Sequence, residues 1–135
     1  MATYSASKVA TTVQSRAGID ITSVTSSYTI AVALVTSDVI QMCKIPAGAT
    51  VQEVIFSGSA SIGGTASLTI GDGADVDRFI TATSFASAAL ARLNAHTGHG
   101  YTYTAEDTID VAAASMATGT TAAVVTLTVI YTMQS

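Results

Sequence analysis

Residues 125–133 alternate without a break. Val125, Leu127, Val129, Tyr131 and Met133 share one face, with Thr126, Thr128, Ile130 and Thr132 on the other. A period of two is the mark of a strand with one buried face, and this length suits a central strand. The same period runs through Tyr28, Ile30, Val32 and Leu34, with Thr29, Ala31 and Ala33 opposite. It predicts a half-buried strand there, after an alternating start at Ile19-Asp20-Ile21. Ser37-Asp38 breaks the pattern. Residues 39–45 predict another strand that Pro46 ends, and the short Thr36-Ser37-Asp38 connection fits a hairpin.

Residues 44–80, KIPAGATVQEVIFSGSASIGGTASLTIGDGADVDRFI, read as short strands punctuated by turns. Pro46-Ala47-Gly48-Ala49 is a turn, because Pro fixes φ and Gly permits positive φ. In residues 51–56 both faces are apolar: Val51 and Ile55 on one, Val54 and Phe56 on the other. A sandwich strand needs only one apolar face, so the second predicts packing under a loop or against another subunit. Leu68 and Ile70 give the core face of the next strand, and Gly71-Asp72-Gly73 turns the chain. Residues 84–94, SFASAALARLN, fit both a helix and an extended segment; the all-β surroundings favour the extended one. Thr97-Gly98-His99-Gly100 and Ala105-Glu106-Asp107 are turns around Tyr101 and Tyr103, which share a face. Ile109, Val111 and Ala113 make a short strand before the turn at Thr118-Gly119-Thr120.

Roughly eight strands with turn signals at short intervals, and no strand–helix alternation, predict an antiparallel, jelly-roll-like β-sandwich. We place a single all-β domain at residues 19–135. Residues 1–18 are small and polar, with Lys8 and Arg16 their only charges. They are expected to form a flexible N-terminal arm that orders only when docked.

Charge changes the picture. Only 10% of the 135 residues are charged, against about 25% in ordinary soluble domains. So few charges leave little to keep a surface wet or sheet edges apart, which points to partners covering much of it. The net charge of −4 and the scattered bases Lys8, Arg16, Lys44, Arg78 and Arg92 argue against nucleic-acid binding, which needs a basic face. No apolar run is long enough for a signal peptide or a membrane span, so a soluble intracellular protein without membrane contact is expected. The single cysteine, Cys43, excludes an internal disulfide framework and sits in an apolar run, as a buried thiol would.

Candidate chemistry is sparse. Asp72, Asp75 and Asp77 have the spacing of oxygen ligands for calcium. GDGADVD lacks the distal Glu and ordered alternation of an EF-hand, and Asp and Gly are ordinary turn residues. No metal or cofactor is therefore expected, and Asp77 is a candidate ion-pair partner for Arg78. Glu106, Asp107 and Asp110 form a second acidic patch; glycoside hydrolysis would also need aromatic sugar platforms, and the chain has no Trp. His96 and His99 flank a turn with no further ligand close by in sequence. Cys43 and a histidine are not brought together by anything in the sequence. Gly63-Gly64 and Gly71-x-Gly73 lead into no helix, so neither reads as a phosphate loop. Tyr101 and Tyr103 suit an interface, because Tyr buries area yet keeps a hydroxyl.

The order of pieces KIPAGATVQEVIF, SLTIGDGADVDRFI, GYTYTAEDTIDV and TLTVIYTM resembles the capsid decoration, or cement, proteins of tailed bacteriophages, from about residue 40 to the end. The resemblance implies a non-enzymatic virion subunit, assembled in the host cytoplasm. It would bind the outer capsid surface and reinforce the shell against genome pressure. The implied partners are the major capsid protein and further copies of the chain, a trimer on local threefold positions being expected ahead of a dimer at twofold positions. The contacts expected for such a subunit involve Lys8 and Arg16 of the arm, Val51 and Ile55, and Tyr101 and Tyr103. The competing class is a carbohydrate- or receptor-binding sandwich from a phage fibre or tail, which would need exposed aromatics.

Overall fold

The computed structural model describes residues 1–8, 20–116 and 118–133. Nine strands run in order: β1 (Thr3–Lys8), β2 (Asp20–Thr29), β3 (Val39–Ile45), β4 (Ala49–Gly58), β5 (Ser67–Gly71), β6 (Ile80–Ser84), β7 (Ala89–Arg92), β8 (Asp107–Ser115) and β9 (Val124–Met133). Among the described residues there is no helix. One sheet has the order β1-β3-β8-β5-β6, the other β2-β9-β4-β7. Successive strands cross from sheet to sheet except at β5–β6, which gives β2 to β9 the interleaved order of a jelly-roll-like sandwich. Every pairing is antiparallel except β1 with β3.

The core lies between the inner faces. From β9 it takes Val125, Leu127, Val129, Tyr131 and Met133, the face that alternation predicts. Ile40, Met42, Leu68, Ile70, Ile109 and Val111 meet it from the opposite sheet. Phe56 and Phe85 pack edge to face at 5.3 Å between centroids, a preferred aromatic geometry.

Strand β4 resolves the two apolar faces of residues 51–56. Val51 pairs with Tyr131 and Glu53 with Ile130, so the register slips by one residue at Gln52. A bulge of this kind puts two residues opposite one and reverses the in/out phase. Val51, Val54 and Phe56 consequently all face the core at 0% exposure. Val51 is a core residue, a correction to its reading as an interface position.

Two further expectations change. The strand expected over residues 28–34 lies earlier, as β2, which pairs with β9 over ten consecutive residues without a bulge. Beyond Thr29 the chain leaves the sheet to cross the sandwich, so Val32 is 57% exposed while Leu34 is buried. β2 and β3 then belong to different sheets and form no hairpin. Residues 3–8, read as the start of an arm, are an edge strand. Tyr4 packs on Tyr28 at 6.1 Å, Ala6 is buried, and the Ala2 amide donates to Asp38 Oδ1 at 2.8 Å. Residues 9–19, including Arg16, lie outside the described residues, as does the side chain of Lys8. Within the segment 84–94, β6 ends at Ser84, residues 85–88 bend across to the other sheet and β7 follows, so the piece is strand only in part.

The connections sort into two ends. At one, residues 30–38, 59–66, 85–88 and the described residues of 116–123 cross between the sheets. They interlock: Ile62 N donates to Phe85 O, Thr120 N to Ile62 O, and Gly63 bridges Gly119. A Cβ at Gly119 would sit on the Leu34 carbonyl oxygen, with the Leu34 nitrogen 2.9 Å away. At the other end lie 46–48, 72–79 and 93–106.

Gly119→Ala is expected to lower stability by about 1–3 kcal/mol, the usual range for forced overpacking. In a urea titration the midpoint falls while the slope is unchanged.

Candidate functional site

The loop 72–79 between β5 and β6 holds the densest polar cluster. It begins at Gly71, where a Cβ would overlap the Asp75 carbonyl oxygen, so the chain can fold back on itself only without a side chain. The Asp72 amide donates to that carbonyl at 2.9 Å. In return Asp72 Oδ1 accepts the amides of Ala74 and Asp75 at 3.1 and 2.9 Å, the local capping that makes Asp a turn residue.

Arg78 closes the loop. Its Nε donates to Asp72 Oδ2 at 2.7 Å and its Nη2 to Oδ1 at 3.3 Å, a two-point carboxylate contact. Asp75 Oδ2 lies 3.9 Å from Nη1. The guanidinium also stacks on Tyr101, 3.9 Å from the ring centroid. Tyr103 packs edge-on against Tyr101 at 5.0 Å, and its hydroxyl donates to Asp72 Oδ2 at 2.9 Å. The backbone of Tyr101 and Tyr103 is tied to β4 through Val51 and Ala49, so the cluster fastens both long connections at this end to the sandwich.

Asp72 is 2% exposed. Burial works to raise its carboxyl, but the hydrogen bonds from Arg78, Tyr103 and the Asp75 amide outweigh it and hold the group below its ordinary value. Burial and the facing Asp72 charge push the Tyr103 phenol far upward, so it remains a donor. With both Asp72 oxygens occupied by donors, the loop is a neutralised latch. Among the described residues no group of three possible ligands surrounds a metal position. Arg78 pairs with Asp72 and Asp75 rather than with the adjacent Asp77, which is exposed.

Asp110 is the counterpart that the latch does not neutralise. It stands on β8 between Gln41 and Gly71, and its Oδ1 is buried without a hydrogen-bond partner. Burial, reinforced by the charges of Asp107 and Asp72, raises its carboxyl to about 6 against the Thr108 hydrogen bond. Beside it is a cavity of ≈ 300 Å³ whose lining includes Thr3, Val39, Gln41, Asp72 and Val76. Glu106 is exposed and lies 3.9 Å from Lys44. His96 and His99 are exposed on their turn. Cys43 is in the core at 1% exposure, and burial, aided by the Asp110 charge, pushes its thiol up to about 12.

Of the residues expected at contacts, Tyr101 is half-buried under Arg78, and Tyr103 is buried at 4% and bonded inward. Ile55 is half-buried on the outer face of its sheet, between Thr128 and Arg92. The sequence brought Asp72 to notice but not its partner. An Arg six residues after Asp72 was the available signal.

The fold is shared with chains from phage capsids. A chain in the capsid of Ralstonia phage GP4 matches at a TM-score of 0.81 and 21% identity, over 99% of each chain. One in the capsid asymmetric unit of cyanophage Pam1 matches at 0.70 and 22%, over 94% of each. One in the acidic stable capsid structure of Helicobacter pylori bacteriophage KHP30 matches at 0.60 and 12%, over 86% of this chain and 88% of that one. At these identities the likeness is one of fold. No family model and no curated protein matches the chain.

Two carboxylates with opposite shifts set the pH dependence. Asp72 is depressed, so its stabilisation is present above the unfolded carboxylate value and is lost as pH falls through its folded one. Asp110 is raised, so the folded state binds its proton more tightly and stability declines as pH rises from about 4 to about 6. The melting temperature contribution of this pair is expected to peak between those ranges. Asp110→Asn should flatten the decline between pH 4 and 6 in thermal melts. Arg78→Ala strands a buried carboxylate and should lower stability at pH 7 by about 3–5 kcal/mol, read from urea unfolding.

Proposed function

We propose that this chain is a non-enzymatic virion structural protein that binds the outer surface of a phage capsid and stabilises the shell. One observation carries the reading: the whole-chain match to a chain in the capsid of Ralstonia phage GP4, over 99% of both. The two chains are therefore about equal in length. The likeness runs through the whole of this sequence and of that chain rather than a part of either. A β-sandwich of this size in a capsid suits a decoration subunit.

The surface supports the same reading. With 10% charged residues, the chain is suited to being covered by partners. Those partners are the major capsid protein and further copies of the chain, a trimer ahead of a dimer. Nucleic acid and membrane are not among them, and the subunit resides on the capsid surface after assembly in the host cytoplasm. The mechanism is multivalency: an oligomer makes one weak contact several times on a symmetric lattice, and each further contact is intramolecular.

The shell contact is assigned to the end carrying the latch. Tyr101 with the stacked Arg78 is partly accessible there, and Lys8 and Asp20, which flank residues 9–19, both pair near that end, with Cys43 and Met133. Burial weakens the reading as a carbohydrate- or receptor-binding module. Of the five Tyr and three Phe, five are buried and Tyr4, Tyr28 and Tyr101 are partly buried, leaving no open aromatic platform.

The test is size-exclusion chromatography with light scattering, first on the protein alone and then with empty capsids of its phage lacking this subunit. A discrete oligomer that co-elutes with capsids and raises their melting temperature is expected. A monomer that ignores capsids would contradict the reading, and binding to a glycan array would replace it.

A further inference from the structure

Among the described residues, exposed charge lies at the latch end and, as the Arg92–Glu53 pair, on the outer face of the sheet holding β4 and β7, but not at the opposite end. The four connections that cross at the end opposite the latch are IAVALVTSD, SASIGGTA, FASA and MATGTTAA. Asp38 is their only ionisable residue. It is 2% exposed, and its two oxygens accept the amides of Ala2 and Val35. What this end presents is small and uncharged: hydroxyls such as Thr36, Ser59 and Thr120, and an apolar ridge on one connection, Val32 at 57% and Val35 at 59% exposure with Ala31 and Ala33 also exposed. Ala60 is exposed on another connection. The latch end, by contrast, carries Asp75, Asp77, Glu106 and Asp107 with Lys44 and Arg78.

The charge-free end is also built rigidly. Besides the interlocking hydrogen bonds, it contains both non-glycine residues of positive φ found among the described residues, Ser37 at 78° and Ala122 at 77°. Residues with a Cβ are disfavoured in that region. Each is held by a short backbone bond, Ser37 N to Ala113 O at 2.8 Å and Ala122 N to Ile30 O at 2.7 Å. Strain held in place by its surroundings concentrates at functional surfaces, and a preformed surface loses little entropy on docking.

We propose that this end is the surface through which copies of the chain associate, with Val32 and Val35 of one copy packing against the same end of another. An uncharged surface of exposed valines set among Ser and Thr hydroxyls can complement itself, whereas a partner recognised through ion pairs finds no counter-charge here. Charge favours the same arrangement. Each copy carries −4 overall, and joining at the charge-free end sets the acidic ends apart. The ten-residue strands between the ends span about 33 Å, several times the screening length of about 8 Å in physiological salt. The inference rests on the self-association in the proposed function and names its surface.

The experiment is light scattering on the full chain and on Val32→Asp/Val35→Asp, with capsid co-sedimentation run in parallel on both. Ala60→Glu, on a different loop, serves wherever the double variant loses its cooperative melt. The wild type is expected to have the mass of a discrete oligomer and the variants that of a single chain. The proposal is overturned by variants that keep the oligomeric mass, including the case in which they also lose capsid binding and the end faces the shell. A wild type that is monomeric at the highest soluble concentration overturns it as well. Dissociation of the variants with no capsid binding by the wild type would sustain the proposal and sink the capsid reading.

Discussion

An unpaired carboxylate cannot be kept at 2% exposure, and the loops at one end of this sandwich are arranged around that constraint at Asp72. Its two oxygens take donors from the backbone of its own loop, from Arg78 and from Tyr103. Arg78 in turn fixes Tyr101 by stacking, and the tyrosine backbone is hydrogen-bonded to β4. One buried charge thereby joins the β5–β6 connection to the long β7–β8 connection and both to the central sheet. Removing either partner is destabilising, while the intact pair roughly offsets its own desolvation.

The two ends of the sandwich obey different physics. At the latch end, polar groups face outward and order comes from ion pairs and hydrogen bonds. At the other end, order comes from backbone bonds between four crossing loops, and the exposed side chains are uncharged, small apolar groups among Ser and Thr. A jelly-roll-like order produces this division, because each pass between sheets leaves a crossing at one end or the other. The proposed roles follow the same line: copies meet at the uncharged end, and the charged end is left for the shell. Repetition on a lattice would then let modest contacts suffice.

Legibility in the sequence followed local regularity. β9 was readable residue by residue, because its alternation is unbroken and its register with β2 has no bulge. β4 misled because the slip at Gln52 reverses phase in the middle of the strand, making one buried face look like two. A bulge is set by the partner strand and leaves no residue signature. The alternation over residues 28–34 was likewise genuine in sequence, yet the chain leaves the sheet at Thr29, so Val32 and Leu34 have different fates. The first residues hid a strand because small polar residues carry no periodic signal; Tyr4 on Tyr28 and Ala2 on Asp38 dock it. At the site, the turn chemistry of Asp72 was legible from Gly-Asp-Gly. Its link to Tyr103, thirty-one positions away, depends on which connections the topology sets side by side. The burial of Asp110 follows from its row between Gln41 and Gly71, again a matter of pairing.

The central claim is that the two ends have separate partners. Amide hydrogen exchange, read by mass spectrometry on the free protein and on the same protein bound to capsids, tests it most directly. The account predicts that residues 72–79 and 93–106 slow on capsid binding, while 30–38, 59–66 and 116–123 exchange slowly in the free oligomer and change little. New protection confined to the four crossing loops on capsid binding, with the latch end unaffected, would contradict it.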